Sequence, residues 1–372
     1  MNNATVAQRV GGFARPYVAV FDPMLLAIVG SLAVIGLITL YSAGNAYPWR
    51  ITDQLRNFGI AFAMLFVTAN IRPQWLMRLA LPVYLVGVGL LIATEISGET
   101  VKGATRWLDI KVTRIQPSEI MKLGLPMTLA WYFHKREGAL RAGDFLIAAV
   151  LVAVPVGLIL KQPDLGTAVL VLAAGAFVIF FAGVPWKWLA VMLVTAVALL
   201  PLAWTQLHDY QRERVMTLID PSTDPLGKGF HTIQAMIAIG SGGTFGKGWM
   251  QGTQAHLEFI PERTSDFIFA VYSEEFGLVG NIVLVLLFFA LVWRSFAIAI
   301  SAPTLFARLL ASAIGLIMFT YAFVNMGMVS GILPVVGVPL PFISYGGTAL
   351  VTLGMACGML MSISAHRKLV QS

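Results

Sequence analysis

His256-Leu257-Glu258-Phe259-Ile260-Pro261-Glu262-Arg263-Thr264-Ser265-Asp266-Phe267-Ile268-Phe269-Ala270 closes a polar stretch and runs directly into an apolar one that continues to about residue 293. The apolar part is long enough to cross a bilayer, because about 20 such residues span roughly 30 Å of hydrocarbon. The polar part ends an excursion over about 206–266, far longer than the other connections in the chain. Connections of that length are functional or disordered. Phe230, Trp249, Phe259 and Ile260 give this one apolar surface to bury, which argues for order. The stretch therefore predicts a membrane helix entered from a folded loop, with Asp266 on the boundary.

Comparable apolar runs recur throughout. Of 372 residues, 58% are hydrophobic and only 12% are charged, about half the charge of a soluble domain, and the mean hydropathy is +0.81. The runs do not alternate as the strands of a membrane barrel would. The expectation is an all-α polytopic membrane protein, read as a single unit over 1–372. Ten transmembrane helices are expected at about 24–42, 56–70, 77–94, 117–133, 144–160, 167–184, 186–205, 267–293, 307–329 and 344–365. The first run is too long for a signal-peptide core and reads as an uncleaved span. An even count puts both termini on one side. With both termini cytoplasmic, the large extracytoplasmic loop lies between helices 7 and 8, and fifteen of the eighteen Asp and Glu fall outside. Acids scarcely steer insertion, so that excess points to function. The net charge of +7 comes mostly from residues flanking apolar runs. Topology and lipid head groups explain it better than nucleic acid does. The single cysteine, Cys357, excludes an internal disulfide and reads as a small buried hydrophobe.

Several residues stand out on the outer side. Asp266 reads either as a helix N-cap, where its charge suits the dipole, or as a general base whose pKa burial would raise. Asp266, Ala270, Ser273 and Gly277 would share one small, polar helix face. Glu274 and Glu275 lie deeper, and an acid at such depth calls for a partner or water. Gln116 to Lys122 opens the fourth span with Pro117 in the first turn. Glu119 and Lys122, one turn apart, either pair with each other or face a cavity. Arg106, Trp107, Lys111 and Arg114 precede them, and arginines fork onto phosphate oxygens, while Trp107 also suits an interfacial belt. Lys161-Gln162-Pro163-Asp164 forms a turn at the same edge. Gly240 to Gly248 lacks the pattern of a nucleotide phosphate loop and suits close backbone approach instead. The five histidines show no zinc-ligand spacing. A divalent cation, magnesium or manganese, held between a phosphate substrate and one carboxylate stays open.

Taken together, these motifs resemble one family. Tyr210 to Val215, Asp224 to Gly229, Gly240 to Gly243, Gly252 to Gln254 and Phe259 to Ala270 are similar to the SEDS proteins (shape, elongation, division, sporulation). So are Gly103 to Leu108, Gln116 to Lys122, Lys161 to Thr167, Gly337 to Phe342 and Ser344 to Gly347, so the likeness covers nearly the whole chain. Arg263 and the Gly337-Val338-Pro339 run resemble the elongation branch rather than the division branch. One departure is Thr264-Ser265, where the family carries His-Thr. The resemblance implies a glycosyltransferase that polymerises lipid II into a nascent glycan strand. It also implies a class B penicillin-binding protein as partner, through membrane helices and outer loops, beside other membrane proteins of the elongation complex. Asp266 would then be the catalytic base. Arg106, Lys111, Arg212, Lys247 and Arg263 would meet the pyrophosphate, and Trp107, Glu119, Lys122 and Asp164 would position substrate. A lipid II flippase and a non-catalytic scaffold are the rival readings, and the long outer loop favours the enzyme.

Overall fold

The structure, a computed structural model, describes residues 17–44, 49–101, 104–109, 114–206, 228–256 and 262–366, with Arg212, Met216 and Ile260. Its helices are α1 (Pro23–Ala43), α2 (Trp49–Ala69), α3 (Pro73–Ser97), α4 (Pro117–Lys135), α5 (Ala142–Lys161), α6 (Leu165–Phe181), α7 (Trp186–Gln206), α8 (Lys228–Ser241), α9 (Thr253–His256), α10 (Ile268–Ile300), α11 (Leu305–Val329) and α12 (Thr348–His366). Every expected span falls on one of these helices. Six of them, α1, α3, α5, α10, α11 and α12, are long and apolar enough to cross a membrane by length and composition. The boundaries differ where helix and apolar run part company. α2 starts at Trp49 rather than about 56, through a turn in which Arg56 pairs with Asp53 at 3.1 Å. α10 continues to Ile300 rather than about 293. Helical hydrogen bonding does not stop where hydrocarbon does.

Two features were not expected. Strands β1 (Glu99–Val101), β2 (Ala104–Asp109) and β3 (Arg114–Ile115) form an antiparallel sheet between α3 and α4. Helices α8 and α9 occupy the outer segment read as loop. Thr232, Ala235 and Ala238 of α8 are buried and recur every third residue, the spacing of one helix face.

Close packing holds the bundle. α12 lies on α2, α3 on α4, α10 on both α1 and α11, and α6 against α4, α5 and α11. A Cβ on Gly354 or Gly358 would stand 2.6 Å from the Ala61 carbonyl or 1.9 Å from the Thr68 hydroxyl. Small residues at such contacts let helix backbones approach where lipid gives no hydrophobic drive. Trp186, Trp188, Val191, Val194 and Val197 of α7 face outward instead.

One buried ion pair ties three helices at a single end. Asp22 caps α1 through the Leu25 amide at 3.1 Å, accepts from Arg294 of α10 (Nε at 3.1 Å, and Nη2) and accepts from Ser364 of α12 at 3.0 Å. Burial alone would raise the Asp22 carboxyl. The Arg294 guanidinium, the Leu25 amide and the Ser364 hydroxyl outweigh that and hold it below the usual carboxylate range.

α10 is broken. Gly277 has φ 63° and ψ −159°, a conformation open to glycine and costly to residues with a Cβ. Residues 243–248 enter the gap. Leu278 N donates to Gly243 O at 2.9 Å and Val279 N to Thr244 O at 3.0 Å, while Lys247 N and Gly248 N donate to Glu274 O and Glu275 O at 3.0 Å each. In hydrocarbon an unpaired peptide group costs several kcal/mol, so a broken helix persists only where such replacements exist. Gly246 makes the contact possible, because a Cβ there would stand 2.1 Å from the Glu275 carbonyl.

Two outcomes follow from this packing. Gly277→Ala should lower stability by at least about 2 kcal/mol, seen as a lower melting temperature and a smaller monodisperse fraction in detergent. Asp22→Asn should cost about 2–3 kcal/mol, below the 3–5 of a fully buried broken pair, because Arg294 is 21% exposed. The depressed carboxyl stabilises the fold above its ordinary value near pH 4, and that contribution disappears as pH falls through the lower folded value. The melting temperature of Asp22→Asn should therefore converge on that of the wild type in acid.

Candidate active site

Asp266 does not sit on α10. It belongs to a turn over 262–267, and the helix begins at Ile268 behind Phe267, which makes no side-chain cap bond. The N-cap expectation and the shared face with Ala270, Ser273 and Gly277 both give way to this geometry. The reason lies in one carbonyl. A helix starting at Asp266 would offer its carbonyl to the Ala270 amide, but that amide goes to Phe267 O at 3.0 Å. The Asp266 carbonyl accepts instead from Asn325 Nδ2 of α11 at 2.9 Å.

Arg263, Thr264, Ser265 and Asp266 of the turn are each tied to another part of the chain. Arg263 Nε donates to the Ala43 carbonyl at the end of α1 at 2.8 Å. Arg50 of α2 donates to Thr264 Oγ1 at 2.5 Å and lies over the Trp49 and Tyr345 rings at 5.5 and 5.9 Å. Tyr345 N donates to Thr264 O at 2.8 Å, and Ser344 Oγ donates to Ser265 O at 2.7 Å. Asn325 also donates to Val338 O at 2.7 Å, joining the turn to segment 334–340. Asp266 itself is partly exposed, and its Oδ2 lies 3.2 Å from where a Cβ on Gly337 would stand. Glu262 and Phe342, with φ of 52° and 61°, flank the two segments that meet here. Left-handed backbone at residues other than glycine persists where its surroundings over-determine it, often beside sites of chemistry.

Three polar clusters adjoin the turn or its helix. Asp164 caps α6, accepting from Thr167 N at 3.1 Å and Thr167 Oγ1 at 2.9 Å, and it pairs with Arg106 at 3.5 Å. Arg106 also donates to the Pro163 carbonyl at 2.9 Å, and Gln116 reaches Asp164 at 3.4 Å. Gly166 brings this corner toward the Asp266 side, since a Cβ there would stand 2.6 Å from Val336 O, next to Gly337. Glu119 and Lys122 pair at 2.5 Å inside the bundle, with Lys122 also bonded to Tyr321. Glu119 Oε2 is buried without a partner. Tyr321 and Asn325 are four residues apart on α11 and so share a face. The third cluster surrounds Glu274, which is fully buried. It accepts from Lys247 Nζ at 2.6 Å, Thr253 N at 2.9 Å and Gln254 N at 3.2 Å. Glu275, on the other side of α10, accepts from Ser42 of α1.

The expected substrate residues thus divide. Arg106 with Asp164 and Glu119 with Lys122 are brought together as pairs, and Arg263 lies in the turn of Asp266. Lys247 is committed to Glu274 rather than open to a phosphate, because a buried carboxylate at that depth demands a cation. Trp107 is half-buried in β2. Arg212 donates to the Thr205 carbonyl at 3.0 Å. Lys111 lies outside the described residues. Arg50, Tyr321 and Asn325 had not been singled out. A lone polar residue in an apolar run, as Asn325 is, was the available signal.

Three comparisons bear on this geometry. A family model described as "Cell cycle protein", for FtsW, RodA and SpoVE, matches residues 22–369. Peptidoglycan glycosyltransferase MrdB of Escherichia coli K12 is 45% identical over 350 residues, covering 94% of this chain and 95% of that protein. A chain from a peptidoglycan synthase complex, described for the structural coordination of polymerization and crosslinking, superposes with a TM-score of 0.82. It shares 35% identity over 93% of this chain and 98% of its own. The Thermus thermophilus rod shape determining protein RodA gives a TM-score of 0.71 at 30% identity, covering 93% of this chain and 97% of that one. By motif, by sequence along nearly its whole length and by fold, the chain belongs to the SEDS family.

Proposed function

We propose that this chain is a peptidoglycan glycosyltransferase that polymerises lipid II into glycan strands during cell elongation, with Asp266 as its general base. The observation that carries the reading is a half-buried carboxylate on a turn held by α1, α2, α11 and the segment before α12. A base works when its position relative to the reacting proton is fixed. Asp266 takes the proton from the 4-hydroxyl of the acceptor sugar. That oxygen attacks the anomeric carbon of the donor, the bond to pyrophosphate breaks, and its electron pair leaves with the lipid-linked pyrophosphate. Direct displacement inverts the carbon. The likeness to peptidoglycan glycosyltransferase MrdB, 45% identical, supports the reaction class.

The departing charge needs donors already in place. Arg50 and Arg263 bring two guanidinium groups to the Asp266 turn, and Lys111 and Arg212 are the further candidates. Arg106 with Asp164, and Glu119 with Lys122 and Tyr321, shape the pocket wall, and Trp107 lies beside Arg106 in β2. Among the described residues no group of three or more His, Cys, Asp or Glu is gathered to hold a metal ion. A magnesium or manganese ion, if bound, would be held by one carboxylate together with the substrate pyrophosphate and would offset the departing charge.

The topology belongs to the same proposal. The ten longer helices all cross the inner membrane, both termini are cytoplasmic, and Asp266 faces the periplasm. A class B penicillin-binding protein, which crosslinks the strands, sits on membrane helices and outer loops, alongside other elongation-complex proteins. The likeness to a chain of a peptidoglycan synthase complex supports it.

Asp266→Asn should fold and reach the membrane yet polymerise purified lipid II about 10²–10⁴-fold more slowly. Near wild-type polymer from that variant would remove Asp266 as the base. Precursor moving between vesicle leaflets without polymer would instead make the protein a flippase. For topology, Phe245→Cys and Ser301→Cys in a Cys357→Ala background should react oppositely with an impermeant thiol reagent applied outside. Phe245→Cys should label first, and the reverse order would invert the orientation.

A further inference from the structure

The Asp266 turn marks one end of the bundle, where α1 and α11 finish and α12 starts. At the other end, where α2 passes to α3, α11 starts and α12 finishes, lies a cavity of about 430 Å³. Small-molecule sites run to roughly 300–1,000 Å³. Arg72, Gln74, Thr304 and His366 give it a polar wall, and Met77, Phe306 and Ile363 an apolar one. Among the described residues no carboxylate lines it.

Its charge is unbalanced. Thr304 Oγ1 is taken by the Ala307 amide at 3.2 Å, and His366 Nδ1 donates to Ser362 O at 2.8 Å. The Arg72 guanidinium, in contrast, makes no hydrogen bond or ion pair with any described residue. Nearby cations have other partners: Arg294 meets Asp22, Arg308 lies 3.8 Å from Glu137, and Arg78 lies over the Trp75 ring at 4.8 Å. α3 and α11 start at this wall with positive dipole ends and α12 finishes there with a negative one, so the net charge of the wall rests on Arg72. An exposed, unmatched planar cation in the same lining as Met77, Phe306 and Ile363 suits an anion that carries hydrocarbon. Arginine forks onto phosphate oxygens, and basic pockets between membrane helices take lipid head groups.

We propose that this cavity binds the phosphate of an anionic phospholipid, with the head group on Arg72 and the first methylenes of a chain along Met77, Phe306 and Ile363. The site is separate from the chemistry at Asp266. Only the membrane face it occupies, cytoplasmic, rests on the proposed orientation.

The test uses the full chain, stripped of lipid in detergent and mixed with phosphatidylglycerol or phosphatidylcholine. Retained lipid is counted by native mass spectrometry. The wild type should keep phosphatidylglycerol in preference to phosphatidylcholine. Arg72→Gln should lower that retention roughly fivefold, the weight of one basic residue at an anionic lipid surface, and Arg72→Lys should restore part of it. Gln74→Glu, an exposed position, places a carboxylate in the wall and should also expel phosphatidylglycerol. Lipid II polymerisation should be the same in all of them, so loss of the polymerase reading would leave these lipid counts unmoved. Equal retention of the two lipids by the wild type, or phosphatidylglycerol retention untouched by Arg72→Gln, overturns the proposal. So does an Arg72-dependent thermal shift with inorganic phosphate and none with phosphatidylglycerol, which would make this a site for soluble phosphate.

Discussion

Where α10 opens at Gly277, four backbone groups that a continuous helix would pair with one another as two hydrogen bonds pass instead to residues 243–248. The medium makes that exchange obligatory, because hydrocarbon offers no water to a loose peptide group. Much of this end of the bundle follows from it. The exchange seats the Gly242 to Gly248 segment beside Glu274, so that Lys247 and the first amides of α9 converge on the carboxylate. It also leaves a short helical piece from Ile268 to Phe276, and the Asp266 turn is the cap of that piece. Fastening the piece at Gly277 on one side and at Asn325 on the other leaves the turn little freedom.

Charge is handled throughout by pairing. Glu274 takes Lys247, Glu119 takes Lys122 and Asp22 takes Arg294, each inside the bundle or at its rim. Burying a lone ion costs several kcal/mol, and a partner with further hydrogen bonds offsets the cost. This use of cations bears on the chemistry. Lys247 and Arg106 look like phosphate ligands when read one at a time, yet each already holds a carboxylate. The cations brought to the Asp266 turn are different ones, Arg50 stacked on Trp49 and Tyr345 and Arg263 on the end of α1.

The helices were legible because apolar runs of bilayer length have one reading. Asp266 was legible because it stands at the junction of a long polar segment and such a run. Its surroundings were not. The clamp on its turn comes from residues far away in the chain, Arg50, Asn325, Ser344 and Tyr345, and no local pattern joins them. The Asp266 N-cap reading failed for the same reason: propensity favoured a helix start there, and Asn325 took the carbonyl that start required. The strands at 99–115 and helices α8 and α9 were too short or too polar to stand out against apolar spans. Glycine at 277 read as part of a smooth face, because periodicity cannot report a φ of 63°.

Glu274 and Glu275 also bear on how the chain enters the bilayer. Each would cost about 2.5–3.5 kcal/mol alone at mid-membrane, so α10 is a poor passenger by itself. Their partners, however, include Ser42, Ser241, Lys247, Thr253 and Gln254, and these five precede the helix in the chain. A ribosome delivers them first. By the time the two acids emerge, Lys247, which neutralises Glu274, and the hydrogen-bond donors to both acids are already made, and the loop that carries the Asp266 turn doubles as the escort for the span behind it.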